Sequence, residues 1–431
     1  MGGAPGADAE HPHPTLSLKG EGFVSAMENE AARLDAADPL AKWRGEFLLD
    51  ESLAYLDGNS LGALPKAVPA RVEQVVRREW GEDLIASWND AGWIALPQKV
   101  GGKIAPLVGA HKHEVIAADS TSINLFKLIS AALAMRPGRK QVLSEPGNFP
   151  SDLYMIEGLE TQGLAERRLA ERSDVEAALD ENVALLLLTH VHYKTGAMFD
   201  MARLTKAAHD VGALVLWDLS HSAGAVPVDL NGAEADFAVG CGYKYLNGGP
   251  GAPAFAYVAE RHHSDLKQPL SGWMGHKAPF AFVDDYQPAP GIDRLLCSTP
   301  SVIAMNALEI GVDMIGEIGM EALVAKSRAL SEFTRKAMAE RVPELPCIAP
   351  ADPAQRGSQL SFRHEHAYEL CQALIARKVI GDFRAPDVLR VGFAPAYVRF
   401  ADCARLVSEL RDMLDSGEWQ KSEYAERGAV T

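Results

Sequence analysis

The sequence has 431 residues, of which 47% are hydrophobic and 23% are charged, a composition ordinary for a globular enzyme. The net charge is −16 and lysine and arginine form no cluster, which argues against nucleic acid and against an anionic membrane surface as partners. No apolar run reaches the roughly 18 residues of a membrane span. The five cysteines are widely spaced without a Cys-x-x-Cys pair, which favours a reducing compartment. We therefore expect a cytoplasmic protein.

The amino-terminal part carries weak patterns. Residues 1–20 lack the basic segment and the apolar core of a signal peptide, and we expect them to form a disordered tail. Residues 21–60 are expected to pack with a small carboxy-terminal domain. A helix is predicted to begin in the segment 119–122, Asp-Ser-Thr-Ser, because all four residues are common at helix starts.

Residues 61–310 alternate short apolar runs with amphipathic helical patterns, which is typical of a mostly parallel sheet with helices on both faces. A helix is predicted over residues 201–211, where apolar residues share one face. The predicted strands are 141–144, 183–189, 213–218, 237–241 and 253–258. We predict an α/β fold in which residues 61–310 form the large domain.

The pattern changes near residue 311, where a smaller α+β domain is predicted to begin and to continue to residue 420. Its expected elements are a helix at 320–342, a strand at 359–362, a helix at 367–378, a strand pair within 380–393 and a closing helix at 400–416. Residues 421–431 are expected to form a flexible tail.

Lys244 is the most informative residue, because it lies in a Gly-rich turn between two predicted strands, 237–241 and 253–258. Its apolar and aromatic neighbours would desolvate the amine, lower its pKa and favour the neutral form that reacts with aldehydes. The alternative is a solvated loop lysine. Asp218 ends an earlier strand, and ligands of open α/β sheets bind beyond such carboxyl ends. An acid there can hold a pyridine nitrogen protonated, although it can also simply cap the next turn.

Other residues are candidates for contacts with the same ligand. His221 follows Asp218 by three residues and can lie against a flat ring or serve as a turn histidine. Thr121 and Ser122 open a helix, where free N–H groups bind phosphate, but plain N-capping explains them equally well. Phe149 lies in a turn-rich segment after the strand 141–144 and could stack on a cofactor, with Asp152 nearby.

Arg390 is surrounded by apolar residues in the predicted strand Val388-Leu-Arg-Val-Gly-Phe393. Such an arginine either points inward, where it can grip a carboxylate through two parallel hydrogen bonds, or faces water from an edge strand. Several histidines occur in pairs, but no acid joins them at a recognised ligand spacing. We expect no metal site.

Together these segments resemble the kynureninase family, pyridoxal phosphate enzymes of the aspartate aminotransferase-like fold and relatives of the class V aminotransferases. The resemblance covers most of the chain and rests on residues 56–62 (Leu-Asp-Gly-Asn-Ser-Leu-Gly), 149–152 (Phe-Pro-Ser-Asp), 217–221 (Trp-Asp-Leu-Ser-His), 242–251 (Gly-Tyr-Lys-Tyr-Leu-Asn-Gly-Gly-Pro-Gly) and 389–391 (Leu-Arg-Val). The segments around Phe149 and Lys244 are quite specific to this family. The Asp-x-x-His pair is shared with the cysteine desulfurases. The fold implied has a large domain with a seven-stranded, mostly parallel sheet and a smaller carboxy-terminal α+β domain.

The resemblance also implies roles for individual residues. Lys244 would form a Schiff base with pyridoxal 5'-phosphate, Asp218 would pair with its pyridine nitrogen, and Tyr243 would join them as a catalytic residue and proton donor. The implied cofactor contacts are Thr121, Ser122, Phe149, Pro150, Ser151, Asp152, Thr189, Asp218, His221, Tyr243, Lys244, Trp273 and Thr299. The implied substrate contacts are Arg390, Asn59 and Ser60. The family supplies the positions of Trp273 and Thr299 from a second subunit, which implies a homodimer with shared sites.

The reaction implied is the hydrolytic cleavage of the Cβ–Cγ bond of L-kynurenine, or of its 3-hydroxy form. The products would be L-alanine and anthranilate or 3-hydroxyanthranilate. A cysteine desulfurase or selenocysteine lyase is the first alternative, and it would need a reactive cysteine, for which Cys297 is the candidate. A non-catalytic cofactor-binding protein is the second, although such a protein would be expected to have lost at least one of Lys244, Asp218, Arg390 and Tyr243.

Overall fold

The computed structural model describes residues 15–428. Its strands in chain order are β1 Ala54–Tyr55, β2 Val115–Ala117, β3 Gln141–Ser144, β4 Glu166–Leu169, β5 Val183–Thr189, β6 Leu214–Asp218, β7 Phe237–Gly240, β8 Phe255–Val258, β9 Gln359–Arg363, β10 Val379–Ile380, β11 Asp382–Arg384 and β12 Val388–Gly392. Its α-helices are α1 Thr15–Ala36, α2 Ala41–Arg44, α3 Ala67–Gln74, α4 Ser87–Asp90, α5 Leu96–Ile104, α6 Thr121–Met135, α7 Pro150–Thr161, α8 Met201–Asp210, α9 Val302–Ile318, α10 Met320–Arg341, α11 Ala367–Ala376 and α12 Phe400–Ser416. A π-helical turn, Val75–Trp80, continues α3.

Short 3₁₀ turns connect many of these elements. They are Leu84–Ala86, Trp93–Ala95, Ala105–Val108, Lys112–Glu114, Glu260–His262, Trp273–Gly275, Pro279–Ala281, Gly291–Leu295, Pro353–Gln355, Glu418–Gln420 and Ser422–Ala425. Among the described residues, no helix is both long and apolar enough to cross a bilayer.

A seven-stranded sheet forms the centre of the larger part, with the strand order β2-β8-β7-β6-β5-β3-β4. Strand β8 runs antiparallel to both of its neighbours, and the other pairs are parallel. The central strands β5 and β6 are buried along their whole length, which explains why their sequences are nearly continuous apolar runs. The prediction of a mostly parallel α/β sheet is confirmed.

The carboxyl ends of the central strands lie side by side. Thr189, the last residue of β5, is directly opposite Asp218, the last residue of β6. Asp218 is in turn opposite Val239 of β7. The polar residues that follow these strands therefore meet at one edge of the sheet, which is where open α/β sheets bind ligands.

The smaller part is built on the antiparallel sheet β11-β12-β9. The amino-terminal segment belongs to it structurally, since β1 pairs with β10 and α1 packs against α12. Gly392 at the end of β12 also bridges to Asp57, which brings residues 57–62 beside the sheet. These contacts carry residues 57–62 to the same edge of the large sheet.

The structure adds detail at three predicted boundaries. Helix α1 begins at Thr15, so only residues 1–14 of the predicted tail 1–20 lie outside the described residues. Helix α9 runs without a break across the boundary expected between residues 310 and 311, and Gly319, with φ +86°, marks its end. The predicted tail 421–431 begins with an ordered turn whose following residue, Glu426, accepts a hydrogen bond from the Tyr368 hydroxyl at 2.8 Å. Residues 429–431 lie outside the described residues.

Candidate active site

A cavity of about 210 Å³ opens at the carboxyl edge of the large sheet. It lies where β5 and β6 end and where α6 and α7 begin. The lining residues are Ser120, Thr121, Ser122, Phe149, Ser151, Thr189, Tyr193, Asp218, Ser220, His221, Tyr243 and Lys244. Residues from five separate segments therefore converge on one small polar space.

The turn after β7 holds Lys244 in this cavity. The turn closes on itself, because Asn247 N–H donates to the Lys244 carbonyl at 3.0 Å and Gly248 N–H donates to the Gly242 carbonyl at 2.9 Å. Gly62 packs directly on it, and a Cβ at that position would overlap the Lys244 carbonyl oxygen. These contacts fix the backbone on both sides of Lys244.

The Lys244 side chain is only 7% exposed, and its Nζ lies 2.9 Å from His221 Nε2. Burial lowers the pKa of the Lys244 amine. The charge of Asp218 opposes this shift, whereas the charges of Arg390 and Arg384 add to it. Burial and then the charge of Lys244 also lower the pKa of His221 well below its ordinary value. His221 is therefore neutral and can accept a hydrogen bond from the Lys244 amine.

Two buried carboxyl groups, Asp218 and Asp152, lie next to each other beneath the cavity. Burial and then the negative charge of Asp218 raise the pKa of Asp152 well above its ordinary value. Burial also raises the pKa of Asp218, but hydrogen bonds from Ser220 and the charge of Lys244 act against it. Because two like charges this close repel each other, a proton shared by the pair is favoured on Asp152 and the negative charge on Asp218.

The amino terminus of α6 forms one end of the cavity. Ser120 caps the helix, with its hydroxyl accepting from Ile123 N–H at 3.4 Å, and the first helical residues, Thr121 and Ser122, follow at once. Free backbone N–H groups and two hydroxyl groups thus face the same space. This combination suits an anion such as a phosphate.

Aromatic rings form the cavity walls. The rings of Phe149 and Tyr193 are perpendicular, with centroids 5.3 Å apart. Lys244 Nζ lies 5.6 Å from the Phe149 ring centre and 5.9 Å from that of Tyr243. Burial raises the pKa of the Tyr243 phenol, which keeps its proton at neutral pH. A flat ligand between these groups would meet apolar faces and one phenol donor.

A cluster of charged residues adjoins the cavity on the small-domain side. Arg390 is 1% exposed and forms a two-pronged ion pair with Asp382, in which Nε lies 2.8 Å from Oδ1. Arg390 also donates to the Tyr193 carbonyl at 2.6 Å and to the Ser60 hydroxyl at 2.9 Å. The sequence leaves two orientations of Arg390 open, and the structure has the inward one.

The structure brings most predicted site residues to the cavity but places several elsewhere. Nine line it, namely Thr121, Ser122, Phe149, Ser151, Thr189, Asp218, His221, Tyr243 and Lys244. Asp152 lies behind the wall, with Oδ2 3.1 Å from the Thr189 hydroxyl, and Pro150 is the first residue of α7. Ser60 and Arg390 belong to the adjoining cluster, and Asn59 is buried against Gly392.

Trp273 and Thr299 do not line the cavity of their own subunit. Trp273 begins the turn Trp273–Gly275, and Thr299 is exposed. Their action in a second subunit stays a prediction.

Three cavity residues, Ser120, Tyr193 and Ser220, were missed from the sequence. Ser120 directly precedes Thr121 and Ser220 directly precedes His221, so their adjacency to predicted site residues is a signal that could have been used. Tyr193 follows β5 by four residues, and the same rule about carboxyl ends of strands that indicated Asp218 could have indicated it.

Other chemistry has less support in the structure. Within residues 15–428, no group of three or more His, Cys, Asp or Glu side chains is arranged to hold a metal ion. Cys297, the residue a sulfur-transfer enzyme would need, is half-buried and donates to Asp119 Oδ1 at 3.5 Å. Burial raises the pKa of its thiol, which works against a reactive thiolate.

Comparison with solved structures assigns the fold. A cysteine desulfurase from Thermococcus onnurineus NA1 superposes with a TM-score of 0.75 at 18% identity and covers 87% of this chain and 98% of its own. The cystine C–S lyase C-DES, solved with its product cysteine persulfide, gives a TM-score of 0.72 at 15% identity over 84% of this chain and 98% of its own. The protein therefore has the aspartate aminotransferase-like fold, with a buried lysine in the cavity at its sheet edge.

Sequence comparison assigns the family. A kynureninase of Burkholderia mallei (strain SAVP1) is 50% identical over 411 residues, which cover 93% of this chain and 99% of the relative. A kynureninase of Pseudomonas fluorescens is 45% identical over 412 residues, which cover 94% of this chain and 99% of the relative. The family profile of the kynureninase C-terminal domain matches residues 323–410. The chain belongs to the kynureninase family.

Proposed function

We propose that this protein is a pyridoxal 5'-phosphate-dependent hydrolase that cleaves L-kynurenine, or its 3-hydroxy form, between Cβ and Cγ. The products are L-alanine and anthranilate or 3-hydroxyanthranilate. The observation that carries the proposal is Lys244, buried at the sheet edge between His221 and Asp218 in a chain that is 50% identical to a kynureninase over nearly its whole length. A C-DES structure solved with glycine covalently linked to the PLP cofactor has the same fold, with a TM-score of 0.74.

The side chains of the cavity fit this cofactor. Ser220 N–H donates to Asp218 Oδ1 at 2.6 Å and so orients the carboxylate that lines the cavity, where it can meet a protonated ring nitrogen. The α6 amino terminus can hold the phosphate, with Thr121 and Ser122 as hydroxyl donors. Phe149 and His221 can flank the ring, and burial lowers the pKa of the Lys244 amine and so favours the neutral form that condenses with an aldehyde.

The surroundings of Lys244, Asp218 and Tyr243 give each of these residues a different role. When bound, pyridoxal phosphate supplies an electron sink for the carbanion chemistry at the substrate. Lys244, whose pKa burial lowers, takes the proton from the substrate Cα. Asp218 would hold the proton on the ring nitrogen of the bound cofactor, because its buried carboxylate favours a positive partner. Tyr243 keeps its phenolic proton and can donate it as cleavage proceeds.

The substrate carboxylate would bind at the cluster that contains Arg390 and Ser60. This cluster carries two guanidinium groups, Arg390 and Arg384, against the Asp382 carboxylate. Asn59 contributes a buried side-chain amide for which no hydrogen-bond partner is found within the described part of the chain. The aromatic part of the substrate would then extend past the walls formed by Phe149 and Tyr193.

We further propose that the functional unit is a homodimer in which Trp273 and Thr299 complete the partner's site. An apolar groove of about 700 Å³ supports this, because it has large exposed apolar side chains such as Trp80 and Ile303. A second copy that covers the groove would remove these side chains from water. Sedimentation of the holoenzyme at micromolar concentration tests this, and a monomer contradicts it.

Two organisational proposals complete the account. We propose that residues 21–60 act with residues 311–420 as the small domain and that residues 61–310 form the large, cofactor-binding domain. We also propose a cytoplasmic location, which the five free cysteines support.

The decisive experiment separates carbon–carbon cleavage from sulfur transfer. Purified holoenzyme is assayed with L-kynurenine for anthranilate and alanine, and with L-cysteine for sulfide. We expect anthranilate and alanine in equal amounts and full retention of this activity in Cys297→Ser. Release of sulfide without anthranilate contradicts the proposal. The ratio of kcat/KM values for kynurenine and 3-hydroxykynurenine then defines the preferred substrate.

A further inference from the structure

Three charged side chains project from one face of the small sheet. Asp382 and Arg390 are directly opposite each other in the antiparallel pair of β11 and β12, so their side chains share a face. Arg384 follows Asp382 by two residues on β11 and therefore points the same way. This face is turned toward Ser60 and the Tyr193 segment at the mouth of the cavity.

Arg390 uses most of its hydrogen-bonding capacity within the protein. A guanidinium group has five N–H donors. In Arg390, Nε and Nη2 bind the two oxygens of Asp382, Nη2 also donates to Ser60, and Nη1 donates to the Tyr193 carbonyl. Four of the five donors are therefore occupied, and the side chain is almost wholly buried.

Arg384 is in a different state. Its Nη2 donates to Asp382 Oδ2 at 2.6 Å and to the Ser60 hydroxyl at 3.2 Å, and its Nη1 makes only a long contact of 3.4 Å with the Phe383 carbonyl. Within residues 15–428, no acceptor is hydrogen-bonded to its Nε. The side chain is 32% exposed, so this unused side of the guanidinium can be reached by a ligand.

The two arginines also converge. The Ser60 hydroxyl oxygen accepts from Nη2 of both, at 2.9 Å for Arg390 and 3.2 Å for Arg384. An oxygen atom at this point is therefore within reach of both positive groups. A carboxylate that replaces the Ser60 hydroxyl at this point can bind both arginines through one oxygen, and the free Nε–H of Arg384 can donate a further charge-assisted hydrogen bond to it.

The net charge of the cluster favours the binding of an anion. Two guanidinium groups face the carboxylate of Asp382, whose pKa is lowered because the charges of Arg390 and Arg384 outweigh burial. The neighbouring Asp57 has its pKa raised to about 7, first by burial and then by the charge of Asp382. Near neutral pH, Asp57 is thus partly protonated and a positive charge remains. The charges of both arginines also act on His221 and Lys244, which places the cluster next to the cavity.

We propose that Arg384 is a second substrate-binding arginine, which grips the α-carboxylate of the amino acid together with Arg390. Arg390 fixes the cluster through Asp382 and offers its remaining donor, while Arg384 offers the side that no protein group uses. This inference rests on the proposed function, because it takes the ligand to be an α-amino acid held over Lys244.

The test compares two ligands that differ only in the carboxylate. L-Alanine and ethylamine are titrated into the holoenzyme, and binding is followed through the visible absorbance of the cofactor. In Arg384→Gln we expect L-alanine to bind about 30-fold more weakly, as for the loss of a hydrogen-bonded charged contact, and ethylamine to bind as before. Arg384→Lys should recover part of the loss. Arg167→Gln is the matched control, because Arg167 is also 32% exposed and pairs with Glu157 at 3.1 Å, on the edge strand β4 of the large sheet.

The outcomes distinguish the possible failures. Normal binding of L-alanine by Arg384→Gln overturns the inference and leaves the carboxylate to Arg390 alone. Equal weakening for both ligands also overturns it, since a merely structural role would affect both. The kinetic expectation with L-kynurenine is a raised KM with little change in kcat. If the wild-type enzyme does not cleave kynurenine, the proposed function fails, but the comparison of L-alanine with ethylamine still decides the role of Arg384.

Discussion

The buried acid pair gives a sharp prediction, because the two carboxyl groups differ in charge. Asp218 lines the cavity, whereas Asp152 is buried behind it and its pKa is raised further, by burial and by the charge of Asp218. Replacing Asp218 with Asn removes the negative charge that keeps the pyridine nitrogen protonated. Replacing Asp152 with Asn keeps a neutral hydrogen-bond donor of the same shape.

The magnitude follows from electrostatics. An ion pair about 4 Å apart in a partly buried site is worth about 4 kcal/mol. Loss of that stabilisation in the transition state slows the reaction by about a thousandfold. The side chain of Asp218 is 2% exposed, so solvent does not screen this interaction appreciably. We therefore expect Asp218→Asn to lose about three orders of magnitude in kcat, and Asp152→Asn to retain at least about ten times the turnover of Asp218→Asn.

The assay is steady-state turnover of L-kynurenine, with cofactor content measured in each variant so that poor loading is not mistaken for poor catalysis. Near-normal kcat in a fully loaded Asp218→Asn enzyme refutes the assigned role. A greater loss in Asp152→Asn than in Asp218→Asn refutes the assignment of the proton.

Three further predictions concern the neighbouring groups. Arg390→Gln leaves the buried Asp382 carboxylate without its main partner and should lower the free energy of unfolding by about 3 to 5 kcal/mol, measured by urea denaturation. The double variant Arg390→Gln with Asp382→Asn should recover part of this loss. Additive losses from the two substitutions contradict the pairing. Burial raises the pKa of Asp57 from its ordinary value of 3.8 to about 7, so the folded state binds more protons than the unfolded chain. The free energy of unfolding should therefore fall by about 4 kcal/mol as the pH rises from about 4 to above 7. Denaturation of the wild type and of Asp57→Asn at pH 5 and pH 8 should show that the variant lacks this loss. Equal pH dependence of the two proteins argues against the raised pKa of Asp57. Tyr243→Phe should lower kcat by about a hundredfold or more with little change in KM, and an unchanged kcat removes Tyr243 as the acid.

The sequence predicted the parts of the fold that local patterns determine. Strands β3 and β5 have the predicted bounds, and α12 does too, because a continuous apolar run or a clear helical period defines each of them. The boundary near residue 311 stays a prediction, because no local feature of the structure marks it. Helix α9 crosses it, since its contacts with α5 and α3 of the large part are tertiary and leave no mark on local composition.

The site was predictable where a strand end or a helix start carried the functional residue. Asp218 and Thr121 are of this kind, and the structure places both at the cavity. The pairing of Arg390 with Asp382 was not predictable, because it depends on the register of two antiparallel strands. The same holds for Arg384, which gains its position only when β11 and β12 lie side by side.

The central claim is that the ε-amine of Lys244 is the group that holds the cofactor. Treating the holoenzyme with borohydride, digesting it and mapping the peptides by mass spectrometry tests this directly. The reduced pyridoxyl group should be found on the peptide that contains Lys244 and should be absent from Lys244→Ala. Its recovery on another lysine, or on none, contradicts the account.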